Sequence, residues 1–99
     1  MTVKITKEGQ VTTAALAGRL DTLAAQEIAP QMDELKNVEG TLVLDCTELS
    51  YISSSGLRIF LMLRKAAVEK ETKVIVRGIS NEIRTIFMMT GFLNLFEIQ

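Results

Sequence analysis

The sequence contains no histidine and no tryptophan, and only one cysteine, one proline and one tyrosine in 99 residues. The missing imidazole excludes the most. Neither a Ser-His-Asp triad nor a His-based metal site can be assembled within this chain. Any serine chemistry must therefore take its base from another group or another protein. The lone Cys46 can form no intrachain disulfide, which fits a reducing compartment. An excess of one charge is also lacking, since eleven basic and twelve acidic side chains leave a net charge of −1. No surplus of cations is available to neutralise a phosphate backbone, which argues against nucleic-acid binding. No apolar run approaches the ~20 residues that cross a bilayer. The opening "MTVKITKEGQV" lacks the apolar centre of a signal peptide. The expectation is a cytoplasmic protein with no nucleic-acid or membrane partner, no metal and no cofactor.

What is present is ordinary for a globular protein: 47 % hydrophobic and 23 % charged residues, in a chain long enough for one domain, 1–99, with a modest core. "TVKIT" alternates Val3 and Ile5 with polar residues, as a half-exposed strand does. Glu8-Gly9 supplies a tight turn, and "VTTAALAG" reads as the returning strand of an antiparallel hairpin. Ala24, Ile28, Met32 and Leu35 then recur at helical spacing, with Pro30 predicting a kink or a restart of the helix. "GTLVLDC" and "KVIVRG" are short continuous apolar runs, typical of buried parallel strands. Between them "TELSYISSS" reads as a loop leading into a helix over 57–70. "SNEIRTIFMMTG" reads as a helix capped by Ser80 and Gly91, and "LFEI" as a short last strand. The predicted order, β-β-α-β-α-β-α-β, implies an α/β fold with a mostly parallel sheet and a hairpin edge.

On helix 57–70, Ile59, Phe60, Leu63, Ala66 and Ala67 fall on one side and are expected to face the core. Arg58, Lys65 and Glu69 fall on the other. Met62 in the middle of that charged face and Leu61 at its edge are either isolated surface apolar residues or a partner-binding patch.

At the start of this helix stand Ser53, Ser54 and Ser55, followed by Gly56. Three chemistries suit that junction. A serine oxygen can cap a helix, but capping needs one serine rather than three. A nucleophile elbow, G-x-S-x-G, would put Ser54 at its centre and Gly56 at its second glycine, but Ile52 stands where the first is required. A phosphate-cradling loop needs a Lys after its last glycine, and Leu57 is there instead. Phosphorylation has better physics. A helix N-terminus favours a dianion, Gly56 leaves room for it, and the base and magnesium come with the kinase. The expectation for Gly56, between loop and helix, is that a larger residue there costs partner binding more than folding.

"LDCTELSYISSSGLRIF" resembles the signature segment of STAS domains, in particular the bacterial anti-sigma factor antagonists (anti-anti-sigma factors) of partner-switching systems. "LAGRLDT" is similar to the family's segment before the first helix, and "VRGISNEIRTIFMMTGFLNLF" to its last strand and Ser-capped helix. The three segments stand in family order from about residue 10 to residue 98. The resemblance implies a single STAS-like domain, a mixed sheet in (βα) superhelical order with an antiparallel first strand. It implies a transcription regulator that is not an enzyme: a phosphoprotein that binds an anti-sigma factor/serine kinase of the GHKL type when unphosphorylated, is released by phosphorylation, and is reset by a PP2C-type phosphatase. The phosphoacceptor position falls on Ser54. Ser55, Gly56 and Leu57 match the Ser/Thr-Gly-Leu that follows it, Asp21 matches the acidic residue before the first helix, and Asp45 the residue ending the central strand. One departure stands beside the acceptor, where Ser53 replaces the family's Asp. Docking is expected on Ser53, Ser55, Gly56, Leu57, Arg58, Leu61, Met62 and Asp21. Two other uses of such a domain are a regulatory subunit in stress signalling or lipid transport, and an anion- or nucleotide-binding module without phosphorylation.

Overall fold

The computed structural model describes residues 1–99. Strands β1 (Thr2–Glu8) and β2 (Val11–Leu20) form the expected antiparallel hairpin, closed by Gly9 at φ +61°. Helix α1 (Thr22–Asp33) continues into a 3-10 turn over Glu34–Asn37. Strand β3 (Thr41–Ile52), helix α2 (Ser54–Lys70), strand β4 (Lys73–Arg77), helix α3 (Asn81–Thr90), a 3-10 turn over Phe92–Asn94 and a two-residue β5 (Glu97–Ile98) complete the chain.

The sheet runs in chain order, β1-β2-β3-β4-β5, and every pair after the hairpin is parallel. Crossovers between parallel strands are right-handed. A sheet that always grows in the same direction therefore puts every crossover helix on the same face. The burial pattern agrees. Ala14, Leu16, Leu42, Leu44, Cys46, Val74 and Val76 alternate along their strands and join Ile28, Met32, Phe60, Leu63, Ile83 and Phe87 from the helices in one core. All four phenylalanines meet there, with Phe60, Phe87, Phe92 and Phe96 ring centroids 5.5–6.5 Å apart.

The opposite face carries no helix. On it Val43 is buried, Thr41, Asp45 and Ile75 are half-buried, and Lys73 and Arg77 are exposed. β4 is thus buried on one side only, and the expected two-sided burial holds only at the middle of β3, where flanking strands cover Val43. Arg77 reaches across this face to Asp45 at 3.3 Å.

Expectations about α1 and β3 change. Pro30 does not restart α1. The helix runs through it to Asp33, with Ala24, Ala25, Ile28 and Met32 buried. Its core-facing side chains outweigh the hydrogen bond that proline cannot donate. The segment read as a loop, 47–52, is strand. β3 slips by one residue against β2 between Asp45 and Glu48, and again between Leu49 and Tyr51. These bulges explain why the strand was hidden. Its inward residues, Leu42, Leu44, Cys46, Leu49 and Ile52, are spaced two, two, three and three apart, so period-two alternation fails just where the bulges absorb the extra residues.

Candidate functional site

Parallel β2 and β3 end side by side, with Leu20 paired to Ile52. The Ser53 N–H donates to the Leu20 carbonyl at 2.8 Å, and each strand then turns directly into a helix. Asp21 caps α1, its Oδ1 accepting from the Ala24 N–H at 2.8 Å. Ser53 caps α2, its Oγ accepting from the Gly56 N–H at 3.2 Å. The carboxylate at Asp21 and the three serines, 32 to 34 residues apart in sequence, thus share the C-terminal edge of the sheet. That edge of a parallel sheet is where helix N-termini gather and ligands approach.

Helix α2 begins at Ser54, three residues earlier than expected, so the serines belong to its cap and first turn. This divides their roles. Ser53 is buried at 9 % exposure and occupied as the cap. Ser54 is the first helical residue; its side chain is exposed and its hydroxyl has no protein partner. Ser55 is half-buried and turns toward the neighbouring helix. The structural requirement for a cap explains one serine and leaves the exposed one free.

Gly56 and Leu57 lie beneath Ser54, both buried. A Cβ on Gly56 would stand 2.7 Å from Leu20 Cγ and 2.9 Å from Ile52 Cγ1. Gly56 is therefore a point of close contact between the helix and the two strand ends, not a flexible joint. The expectation that a larger residue there costs partner binding more than folding did not include this contact, which adds a cost to folding as well.

Along α2, Ser54, Arg58, Leu61 and Lys65 are all exposed at spacings of four, three and four residues, one continuous stripe on the helix. Val68, 60 % exposed, extends it. Met62 departs from the sequence expectation. It is half-buried, packs against the core and faces α1, because α1 lies along that flank of α2. Between the two helices runs an open groove of about 620 Å³, walled by Ala29, Pro30 and Asp33 on one side and Ser55, Arg58 and Met62 on the other.

Sequence reasoning overlooked Arg19 and Tyr51 at the same edge. They face each other in the β2–β3 pairing, with the Arg19 guanidinium 4.5 Å from the Tyr51 ring centroid. A signal was available: Arg19-Leu20-Asp21 and Tyr51-Ile52-Ser53 repeat one pattern of outward residue, buried apolar residue and helix cap. Asp45 lies apart from the serines, within the pairing of β3 with β4. Its carboxyl is held below its ordinary range, chiefly by the Thr47 hydroxyl at 2.6 Å, against the opposing effect of burial. The Cys46 thiol is buried in the core and pushed up to about 12, which keeps it protonated and unreactive. No cluster of His, Cys, Asp or Glu suitable for a metal is present, and no helix is long and apolar enough to cross a membrane.

Comparison with known proteins places the chain among regulators of similar fold. The chain is 27 % identical over 85 residues to an anti-sigma-B factor antagonist of Listeria monocytogenes, covering 85 % of this chain and 75 % of that one. Its fold superposes on an anti-sigma factor antagonist from Mycobacterium paratuberculosis with a TM-score of 0.87 at 20 % identity, over 98 % of this chain and 83 % of the other. It superposes equally well, at a TM-score of 0.76, on the unphosphorylated and phosphorylated forms of the Bacillus protein SpoIIAA. Those two matches have 17 % and 18 % identity and cover 99 % of this chain, and 87 % and 91 % of the respective SpoIIAA chains. The STAS domain family model matches residues 2–99, so the chain belongs to the STAS domain family.

Proposed function

We propose that this chain is an anti-sigma factor antagonist that works by partner switching. Unphosphorylated, it binds an anti-sigma factor that is also a GHKL-type serine kinase, and so frees a sigma factor. The kinase transfers the γ-phosphoryl group of ATP to Ser54. A bond forms between Ser54 Oγ and phosphorus as the bond to the β–γ bridging oxygen breaks. ADP leaves, and the hydroxyl proton passes to a base of the kinase. A PP2C-type phosphatase hydrolyses the ester and restores the binding form. The domain itself catalyses nothing.

One observation carries the reading: of the three adjacent serines, Ser54 alone is exposed, and it stands first in the helix with its hydroxyl unbonded. A phosphate there adds roughly −1.5 to −2 charge. The helix N-terminus tolerates that charge, so the fold survives. Leu61 and Arg58 on the same stripe, with Asp21 on the adjoining cap, form the docking surface. Ser53, Gly56 and Leu57 shape it from below, and Ser55 and Met62 border it at the groove. A partner fitted closely to an uncharged hydroxyl is expelled by a dianion. The name of the Listeria relative and the existence of SpoIIAA in a phosphorylated form support the assignment. Ser53 in place of an acidic neighbour removes one like charge from beside the acceptor, which favours holding the phosphate.

The test is intact-mass analysis after incubation with the cognate kinase and ATP, followed by binding measurements. The wild type gains one phosphate that peptide mapping puts on Ser54. Ser54→Ala gains none and still binds. Ser54→Asp keeps its circular dichroism and loses about tenfold or more in affinity, on the order of an interface hot spot. A phosphate that moves to Ser53 or Ser55, or a Ser54→Asp variant that binds as the wild type does, overturns the assignment.

A further inference from the structure

We propose that Arg58 is the internal counter-ion of a phosphate on Ser54. This rests on the reading of Ser54 as phosphoacceptor and assigns to Arg58 a role beyond docking. Ser54 and Arg58 are separated by four residues within α2, and both are exposed. At that spacing two Cβ atoms lie on one face of a helix, about 5–6 Å apart. The orientation is the favourable one, with the anion N-terminal to the cation. A guanidinium offers a planar pair of donors that matches two phosphate oxygens.

Arg58 is also available. It takes part in none of the three ion pairs of the chain and makes no hydrogen bond to another side chain or to the backbone. The other charges around it are engaged elsewhere. Asp33, across the groove from Arg58, is held by Lys36 at 2.6 Å. Asp21 directs Oδ1 to the Ala24 N–H, and Arg19 is stacked on Tyr51. Lys65, the next cation on the stripe, is eleven residues from Ser54, about three helical turns away and beyond reach of its phosphate.

The pairing has a consequence for the switch. In the unmodified chain Arg58 is a free cation on the docking stripe. Once Ser54 carries a phosphate, Arg58 folds back on it, so the partner meets a new anion and loses a cation in the same event. Phosphorylation then changes two contacts through one bond.

The full chain with phosphoserine incorporated at position 54 during translation is titrated by phosphorus-31 NMR. This makes the result independent of any kinase. A neighbouring cation favours the dianion and lowers the second phosphate pKa from its usual value of about 6. The Arg58→Gln variant is expected to titrate higher than the phosphorylated wild type by roughly 0.15–0.4 unit, the size of an exposed i,i+4 pair. Arg58→Lys should recover much of the difference, and about 0.5 M salt should shrink it. Unphosphorylated Arg58→Gln should melt with the wild type, which separates the pairing from a structural role. Identical titration of wild type and Arg58→Gln overturns the inference. A shift that persists in a chain its kinase leaves unmodified supports the pairing while removing the proposed switch.

Discussion

Three consecutive serines differ in environment because a strand end and a helix start impose different demands on each. Ser53 faces inward between Leu20 and the first turn, and its oxygen is consumed by the Gly56 N–H. Ser54 points outward one residue later. Gly56 is required because the helix lies against both strand ends. Ordinarily a glycine-to-alanine change inside a helix gains about 1 kcal/mol. Here the added methyl would stand 2.7–2.9 Å from Leu20 and Ile52 side-chain carbons, so overpacking decides the sign. Gly56→Ala is expected to destabilise the fold by about 1–3 kcal/mol in urea denaturation. A stabilised variant would mean that Leu20 and Ile52 move aside without cost.

At the scale of the element, α2 has three distinct sides. One is core, with Leu57, Phe60, Leu63 and Ala67 buried. A second faces α1 across the groove and carries Met62. The third is the exposed stripe of Ser54, Arg58, Leu61 and Lys65. Leu61 is 40 % exposed and is the apolar member of the stripe nearer Ser54, so it is a cleaner probe of docking than Met62. Leu61→Glu should leave the thermal midpoint nearly unchanged, since surface substitutions stay within about 0.5 kcal/mol. It should weaken the partner complex by about 1 kcal/mol or more, read by isothermal titration. Met62→Glu, by contrast, should cost stability as well, because it places a carboxylate against the core. Full affinity in the Leu61 variant would move the docking surface off this stripe.

For the whole molecule, the one-sided sheet leaves polar pairs on its open face. Asp45, bonded to Thr47 and to Arg77, titrates below its ordinary 3.8, and Glu97, bonded to Lys73 and Gln99, below its ordinary 4.5. A carboxyl with a depressed folded pKa stabilises the fold above its unfolded pKa and loses that contribution as the pH falls through the folded value. Stability should therefore decline as the pH drops from about 4.5. Asp45→Asn, which keeps an acceptor for Thr47 but no charge, should be less stable than the wild type at pH 7, and the gap should narrow by pH 3. Parallel denaturant midpoints at the two pH values would assign the acid sensitivity to other groups.

The order of elements was legible in the sequence because each has its own local chemistry: the Gly9 turn, the Ser80 and Gly91 caps, the apolar runs of β3 and β4. The absence of histidine bounded the chemistry without any structure, since a base that is not in the chain cannot be folded into place. The resemblance of the serine segment pointed to Ser54. What local pattern could not carry was the second half of β3, where bulges break the alternation, and the start of α2, where a run of serines looks like loop. Nor could it separate Leu61 from Met62, because which flank of a helix is covered depends on where the neighbouring helix lies. The one-sided placement of the helices follows from strand order, and that order brings Asp21 beside Ser53 and lays α1 against Met62. Composition and motif thus determined what chemistry the chain could hold. Tertiary packing decided which of three identical hydroxyls is open to a partner, because burial depends on contacts between residues far apart in sequence.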